Sequence, residues 1–97
     1  MLIKAVEGME GTVYLIHLET PIAGHAQHYI GWAANVEARL YYHRKKKGAK
    51  MLAHAVGLGI AFSIVREWAG GKDLERKLKN RKKARLLCPV CRRNAEA

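Results

Sequence analysis

Two early segments, made mostly of apolar and β-forming residues, predict two β-strands. Residues 12–19 are rich in β-formers, and a period of two divides their side chains between two faces. One face holds Val13, Leu15 and His17, and the other holds Tyr14, Ile16 and Leu18. A connection that contains Pro and Gly leads to a second strand, predicted over 27–33 and antiparallel to the first. If the register permits, Tyr14 and Tyr29 then lie on one face.

The remainder of the chain indicates three helices and one more strand. The predicted helix, helix, strand and helix cover residues 36–47, 49–56, 60–68 and 73–87. Asn35 is a good N-cap for the first helix and Gly48 a natural stop, while Asp73 can cap the last helix. The residues from Cys88 onward are expected to form a loose tail. The predicted order is β-β-α-α-β-α, which makes the fold class α+β.

The size of the chain limits it to one domain. With 97 residues, of which 49% are hydrophobic, it is expected to form a single modest core. It has no apolar run of the roughly 18 residues that a membrane helix needs, and its N-terminus lacks the features of a signal peptide. We therefore expect a soluble, cytoplasmic protein that does not contact a membrane.

The formal net charge of +10 is concentrated in the second half of the chain. Of the 18 basic residues, 15 lie in the segments 44–50 and 72–93, whereas the first 37 residues hold four of the eight acids and a single lysine. Such a surface is expected to bind polyanions, with DNA as the leading partner, and a solvated basic face without a partner is the alternative. The candidate nucleic-acid contacts are Arg44, Lys45, Lys46, Lys47, Lys50, Lys79, Arg81, Lys82 and Lys83.

Cys88 and Cys91 form a single CxxC pair near the end of the chain. So few cysteines favour a reducing compartment over a disulfide framework. The pair is also half of a zinc knuckle, but the sequence has no second Cys pair and no HxxxH to complete four ligands. Reduced, unliganded thiols are therefore expected, with zinc binding left open.

Candidate catalytic groups are concentrated where the second predicted strand leads into the first helix. Arg39 and His43 are four residues apart, so they share one helix face. Gly31, at the end of the strand, allows close approach of a backbone or of a ligand such as a phosphate. This stretch is the leading candidate for a catalytic site.

Taken in order, these segments resemble the GIY-YIG nuclease family over residues 11–87. The resemblance rests on Val13-Tyr14, Tyr29-Ile30-Gly31, the pair Arg39 and His43, and Glu75 followed by Leu78 and Lys79. It implies a small three-stranded antiparallel sheet with helices packed around it. It also implies a metal-dependent DNA endonuclease or nickase that hydrolyses phosphodiester bonds, with a role in DNA repair or recombination.

The resemblance further implies a role for each site residue. Glu75 would hold a single Mg²⁺ or Mn²⁺ ion, Arg39 would bind the scissile phosphate, and Tyr14, Tyr29 and His43 would orient or deprotonate the attacking water. Arginine suits a phosphate because its planar fork can bind two oxygens, whereas tyrosine, with an ordinary pKa of about 10, is a poor base at neutral pH. The general base, the DNA specificity, the oligomeric state and any targeting partner protein are left open.

Two other functions remain as alternatives. A non-catalytic nucleic-acid-binding domain on the same fold would not need all five of these residues. A basic RNA-binding protein of ribosomal type would use Glu75 only as a salt-bridge partner within a helix, and its binding would depend strongly on salt but not on Mg²⁺.

Overall fold

A computed structural model describes residues 11–23, 26–45 and 49–91 of the chain. The strands are β1 (Thr12–Ile22), β2 (Ala26–Ala33) and β3 (Phe62–Ala69). The helices are α1 (Val36–Arg44), α2 (Lys50–Gly57), α3 (Lys72–Arg81) and α4 (Ala84–Leu87). The predicted stop at Gly48 and the last six residues of the predicted tail lie outside the described residues.

The three strands form one antiparallel sheet in the order β2-β1-β3, with helices packed around it. This confirms the α+β class and the three-stranded sheet. Within the β1–β2 pair, Ile16 lies opposite Tyr29 and His17 lies opposite His28. Because directly opposed residues point to the same side of a sheet, this register assigns Tyr29 to one face and the two histidines to the other.

The first face of the sheet is covered by α1 and α2. It buries Tyr14, Ile16 and Leu18 against Leu52 and Ala55, the buried residues of α2. The alternation predicted for β1 places these three strand residues together, and Tyr14 and Tyr29 share this face as expected. This face therefore carries the candidate catalytic residues of the sheet.

The second face is covered by α3 and by the segment that follows it. Val13, Leu15 and Ile30 pack there with Leu78 of α3 and with the side chains of both cysteines. The residues 88–91, expected in a loose tail, are thus packed on the sheet as far as the structure describes them. Val13 and Leu15 therefore provide part of the apolar surface that buries the two thiols.

Two details of the helices differ from the predictions. Asn35 caps α1 as expected, because its side-chain oxygen accepts a hydrogen bond from the Ala38 N–H at 3.0 Å. Asp73 instead lies in the first turn of α3, whose N-cap is Gly71; the helix dipole still favours an acid there. The predicted last helix is divided at Lys82, whose left-handed backbone (φ 52°) ends α3 before α4 begins.

None of the described helices is long and apolar enough to span a membrane.

Candidate active site and metal-binding cluster

The centre of the candidate active site is a buried hydrogen bond between Tyr14 of β1 and His43 of α1. The Tyr14 hydroxyl oxygen and the His43 Nε2 atom are 2.8 Å apart, and both residues are only 1% exposed. The N-cap at Asn35 fixes where α1 begins, so His43 reaches the sheet in the last turn of that helix. Two of the residues predicted from the sequence are therefore in direct contact.

The other ring nitrogen of His43 indicates its tautomer. The backbone N–H of Ala49 donates to His43 Nδ1 at 3.4 Å, and an imidazole nitrogen that accepts a hydrogen bond carries no proton. In the neutral ring the proton is then on Nε2, which donates it to the oxygen of Tyr14. This arrangement leaves the hydroxyl hydrogen of Tyr14 to be donated elsewhere.

Tyr29 completes an aromatic cluster with these two residues. Its ring centre lies 5.5 Å from that of His43 and 6.3 Å from that of Tyr14. Gly31 makes the arrangement possible, because a Cβ atom there would lie only 2.5 Å from the Tyr14 hydroxyl oxygen. The glycine was expected to admit a ligand or a backbone; in the structure it admits the phenol of Tyr14.

The charged residues Arg39 and Glu75 act on this cluster electrostatically. Burial raises the pKa of Tyr14 well above its ordinary value; Tyr29 and Glu75 add to the rise and Arg39 opposes it. Burial also lowers the pKa of His43, with a further contribution from Arg39. Both groups are therefore neutral near pH 7, in agreement with the hydrogen bond between them.

Glu75 forms an ion pair rather than standing alone. Its carboxylate oxygen lies 3.1 Å from the ammonium nitrogen of Lys79, one turn further along α3. The same ammonium group lies 5.8 Å from the centre of the Tyr29 ring. The pair therefore links α3 to the aromatic cluster, and the five predicted catalytic residues belong to one region.

An open pocket lies next to this region, with a volume of about 350 Å³. Arg39 is exposed and contributes to its wall, together with Trp32, Asn35 and the exposed ring of Tyr42. The guanidinium group is thus accessible to an anion from solvent. A pocket with one cation and two aromatic rings can hold a phosphate with an attached planar group.

Most of the predicted nucleic-acid contacts are accessible. Lys46 and Lys47 lie outside the described residues. The exposed cations are Arg44, Lys45, Lys50, Arg81, Lys82 and Lys83, and Lys79 is half-exposed while paired with Glu75. The cations of α1 and α3 lie at the ends of helices that also carry candidate catalytic residues.

A second cluster lies on the other face of the sheet. It brings together His17 of β1, His28 of β2, and Cys88 and Cys91, with one potential ligand atom of each residue within 4.8 Å of every other. Both cysteines are free thiols and both are buried. Burial lowers the pKa of His28, with added effects from His17 and Arg85. Burial and its hydrogen bond to Cys88 raise the pKa of Cys91.

This cluster corrects the cofactor expected from the sequence. The expectation of a single Mg²⁺ or Mn²⁺ ion held by Glu75 is wrong. Those ions prefer oxygen ligands, whereas the donors brought together are two imidazoles and two thiols, which suit zinc. Within the part of the chain that the structure describes, this is the one group of three or more such residues, and Glu75 is paired with Lys79.

The sequence contained a signal for this cluster that the spacing rules do not detect. A search for a second Cys pair or HxxxH finds nothing, because the two histidines are on different strands. His17 and His28 become neighbours only when β1 and β2 pair in the observed register. Their placement on the Val13 and Leu15 face of the sheet, together with a CxxC segment, is the pattern that would have indicated it.

Comparisons with protein-family models, with curated proteins and with solved structures found no match to this chain. The resemblance to the GIY-YIG family therefore rests on the sequence motifs alone.

Proposed function

We propose that the chain is a nuclease that hydrolyses phosphodiester bonds of DNA at the region formed by Tyr14, Tyr29, Arg39, His43 and Glu75. The observation that carries the proposal is the buried hydrogen bond of 2.8 Å between Tyr14 and His43. A polar pair in the core must be fully satisfied to be tolerated, and packing alone would favour apolar side chains there.

The chemistry of hydrolysis suits these residues. Water adds to phosphorus and gives up one proton, the bond to the leaving sugar oxygen breaks, and that oxygen takes up one proton in return. Negative charge grows on the phosphoryl oxygens, where the exposed guanidinium group of Arg39 can neutralise it through two parallel hydrogen bonds. Arg39 is accordingly the proposed phosphate ligand.

Tyr14 acts in this proposal as a positioning residue. Burial keeps its phenol protonated, and the Nε2–H of His43 already occupies its oxygen. Because Tyr14 is only 1% exposed, it positions the neighbouring ring of Tyr29 rather than contacting the substrate itself. Glu75 supplies the carboxylate of the site, and its ion pair with Lys79 fixes its position.

The exposed cations of α1 and α3 supply affinity for the DNA backbone. Their contacts with the phosphates do not depend on the DNA sequence. We therefore expect binding that weakens steeply as the salt concentration rises, with a nonspecific Kd of about 10⁻⁴ to 10⁻⁶ M at physiological salt. DNA repair or recombination is the proposed setting, because such enzymes act on backbone geometry at branched or damaged sites.

A non-catalytic nucleic-acid-binding domain is the second candidate. The raised pKa of Tyr14 favours it, since a buried, protonated phenol cannot serve as a general base at neutral pH. On this alternative the aromatic cluster is only a packed core, and the exposed cations carry the whole function.

Plasmid nicking separates the two candidates. Supercoiled DNA is incubated in nuclease buffer with the wild type, with Glu75→Gln, with Arg39→Gln, and with the control Glu19→Gln, whose side chain is exposed on β1. We expect nicking by the wild type and the control, and a loss of at least about a hundredfold for the other two variants. Branched DNA is tested in parallel.

Each result has a defined meaning. Binding of DNA without cleavage of any substrate, at a protein concentration that saturates binding, would refute the nuclease and support the binding domain. Equal cleavage by the wild type and Glu75→Gln would remove Glu75 from the proposed site.

A further inference from the structure

We propose that His17, His28, Cys88 and Cys91 bind one zinc ion in a closed, structural site. This site is separate from the proposed nuclease function, because it lies on the opposite face of the sheet from Tyr14 and Tyr29. It would stand if the nuclease proposal failed.

The distances between the donor atoms match the edges of a zinc tetrahedron. Zn–N bonds of about 2.05 Å and Zn–S bonds of about 2.3 Å give edges of about 3.3 Å between two nitrogens and about 3.6 Å between nitrogen and sulfur. Here His17 Nδ1 and His28 Nε2 are 3.4 Å apart. The sulfur of Cys91 lies 3.4 Å from His28 Nε2 and 3.7 Å from His17 Nδ1, and the sulfur of Cys88 lies 3.5 Å from His17 Nδ1.

The ligand types select zinc over harder ions. Two thiolates and two imidazoles form one of the common donor sets of structural zinc, while magnesium and manganese prefer carboxylates and water. No carboxylate belongs to the group of donors around these atoms among the described residues. Four protein ligands complete the tetrahedral coordination of the ion. No coordination position then stays open for a substrate, which makes the site structural.

Burial favours a metal over a set of hydrogen bonds. Cys88 is fully buried and Cys91 is 8% exposed. Thiols are weak hydrogen-bond donors, so a metal-free cluster would satisfy the two imidazoles poorly, whereas one ion satisfies all four groups together. A Cys88–Cys91 disulfide is the other way to use the thiols, and it would leave His17 and His28 without these partners.

The site joins parts of the chain that are far apart in sequence. His17 and His28 come from a directly opposed pair of β1 and β2, and the cysteines follow α4, about 70 residues later than His17. One ion would therefore fix the β1–β2 register and hold the end of the described chain on the sheet. Such a link stabilises the fold by restricting the unfolded chain, as a crosslink does.

The first test is the metal content of the full chain, purified without chelator, by elemental analysis. We expect about one zinc per chain for the wild type and for the control His54→Ala, whose side chain is exposed on α2. Bound zinc should be lost in Cys88→Ser and in His28→Ala. Wild-type protein purified with less than about a tenth of an equivalent, and unable to take up added zinc, would overturn the proposal.

Cobalt substitution keeps the test valid if the variants do not fold. Wild-type protein is stripped of metal and titrated with Co²⁺ alone, with absorbance as the readout. We expect intense visible bands of tetrahedral cobalt and a thiolate-to-cobalt charge-transfer band. The charge-transfer band should saturate at one equivalent of cobalt and disappear when zinc displaces the cobalt. Weak octahedral bands without charge transfer would show that the thiols do not bind, and would overturn the site.

Discussion

Replacing Gly31 with alanine tests the geometry of the candidate active site with a single methyl group. A Cβ atom at this position would lie 2.5 Å from the hydroxyl oxygen of Tyr14, 2.6 Å from its Cζ atom and 2.9 Å from Cε2 of Tyr29. These distances are shorter than carbon atoms tolerate, so the Tyr14 ring must move. Its hydrogen bond of 2.8 Å to His43 would then lengthen or break.

The expected magnitude follows from three contributions. Overpacking a core typically costs about 1–3 kcal/mol. Weakening the Tyr14–His43 hydrogen bond costs about 1 kcal/mol more. Alanine restricts the unfolded chain more than glycine does, which offsets about 0.5–1 kcal/mol. Gly31→Ala should therefore lower the free energy of unfolding by about 1–3.5 kcal/mol.

Urea unfolding at equilibrium measures this free energy, and Gly59→Ala is the matched control. Gly59 has a φ of +75° and no atom within 4 Å of an added Cβ, so its substitution introduces backbone strain without a clash. The control should lose about 1 kcal/mol and keep its nicking activity, while Gly31→Ala should lose activity under conditions where it is still folded. Wild-type stability and activity for Gly31→Ala would refute the close approach of Tyr14 to β2.

Two further predictions concern the core. Leu52→Ala removes a fully buried side chain of α2 and should lower the free energy of unfolding in urea by about 2–5 kcal/mol. The control Leu58→Ala, at a position 57% exposed, should lower it by less than about 0.5 kcal/mol. Similar losses for both variants would contradict the packing of α2. The pKa of His43 is lowered from its ordinary 6.5 by burial and by Arg39, so the unfolded chain binds more protons in the window just below 6.5. The contribution of His43 to stability is therefore complete above pH 6.5 and is lost as the pH falls through the lowered value, by at most about 1.4 kcal/mol per pH unit. Tyr14, Tyr29 and Arg39 are the titratable groups that face it. The difference in stability between the wild type and His43→Asn should shrink in acid, and a constant difference would contradict a neutral His43.

The fold could be predicted largely because local patterns are strong in this chain. The alternation in residues 12–19 separates the two faces of β1, and the cap at Asn35 fixes the start of α1. The interruption at Lys82 was missed, since a left-handed residue other than glycine has no clear sequence signal. Of the candidate active site, the shared face of Tyr14 and Tyr29 follows from the predicted strands, whereas the contact between Tyr14 and His43 also depends on how α1 packs on the sheet.

The cluster on the second face could not be predicted from spacing. Histidine positions on two strands are related only through the register of the strands, and the sequence does not determine register directly. The CxxC segment was expected to belong to a loose tail, yet the apolar residues of the second face bury both thiols. The burial of Cys88 depends on contacts with residues more than 50 positions away in sequence.

The register of β1 and β2 has a consequence for how this chain can vary. Four successive positions of β2 each have a different structural requirement. His28 belongs to the cluster with the two cysteines, and Tyr29 belongs to the aromatic cluster. Ile30 packs in the core on the second face of the sheet, and Gly31 leaves room for the phenol of Tyr14. Sliding the strand by one residue would break all four at once. Tolerance to substitution should therefore be lowest in this tetrapeptide, and changes in chain length should accumulate in the connection before it, where the pairing is already irregular.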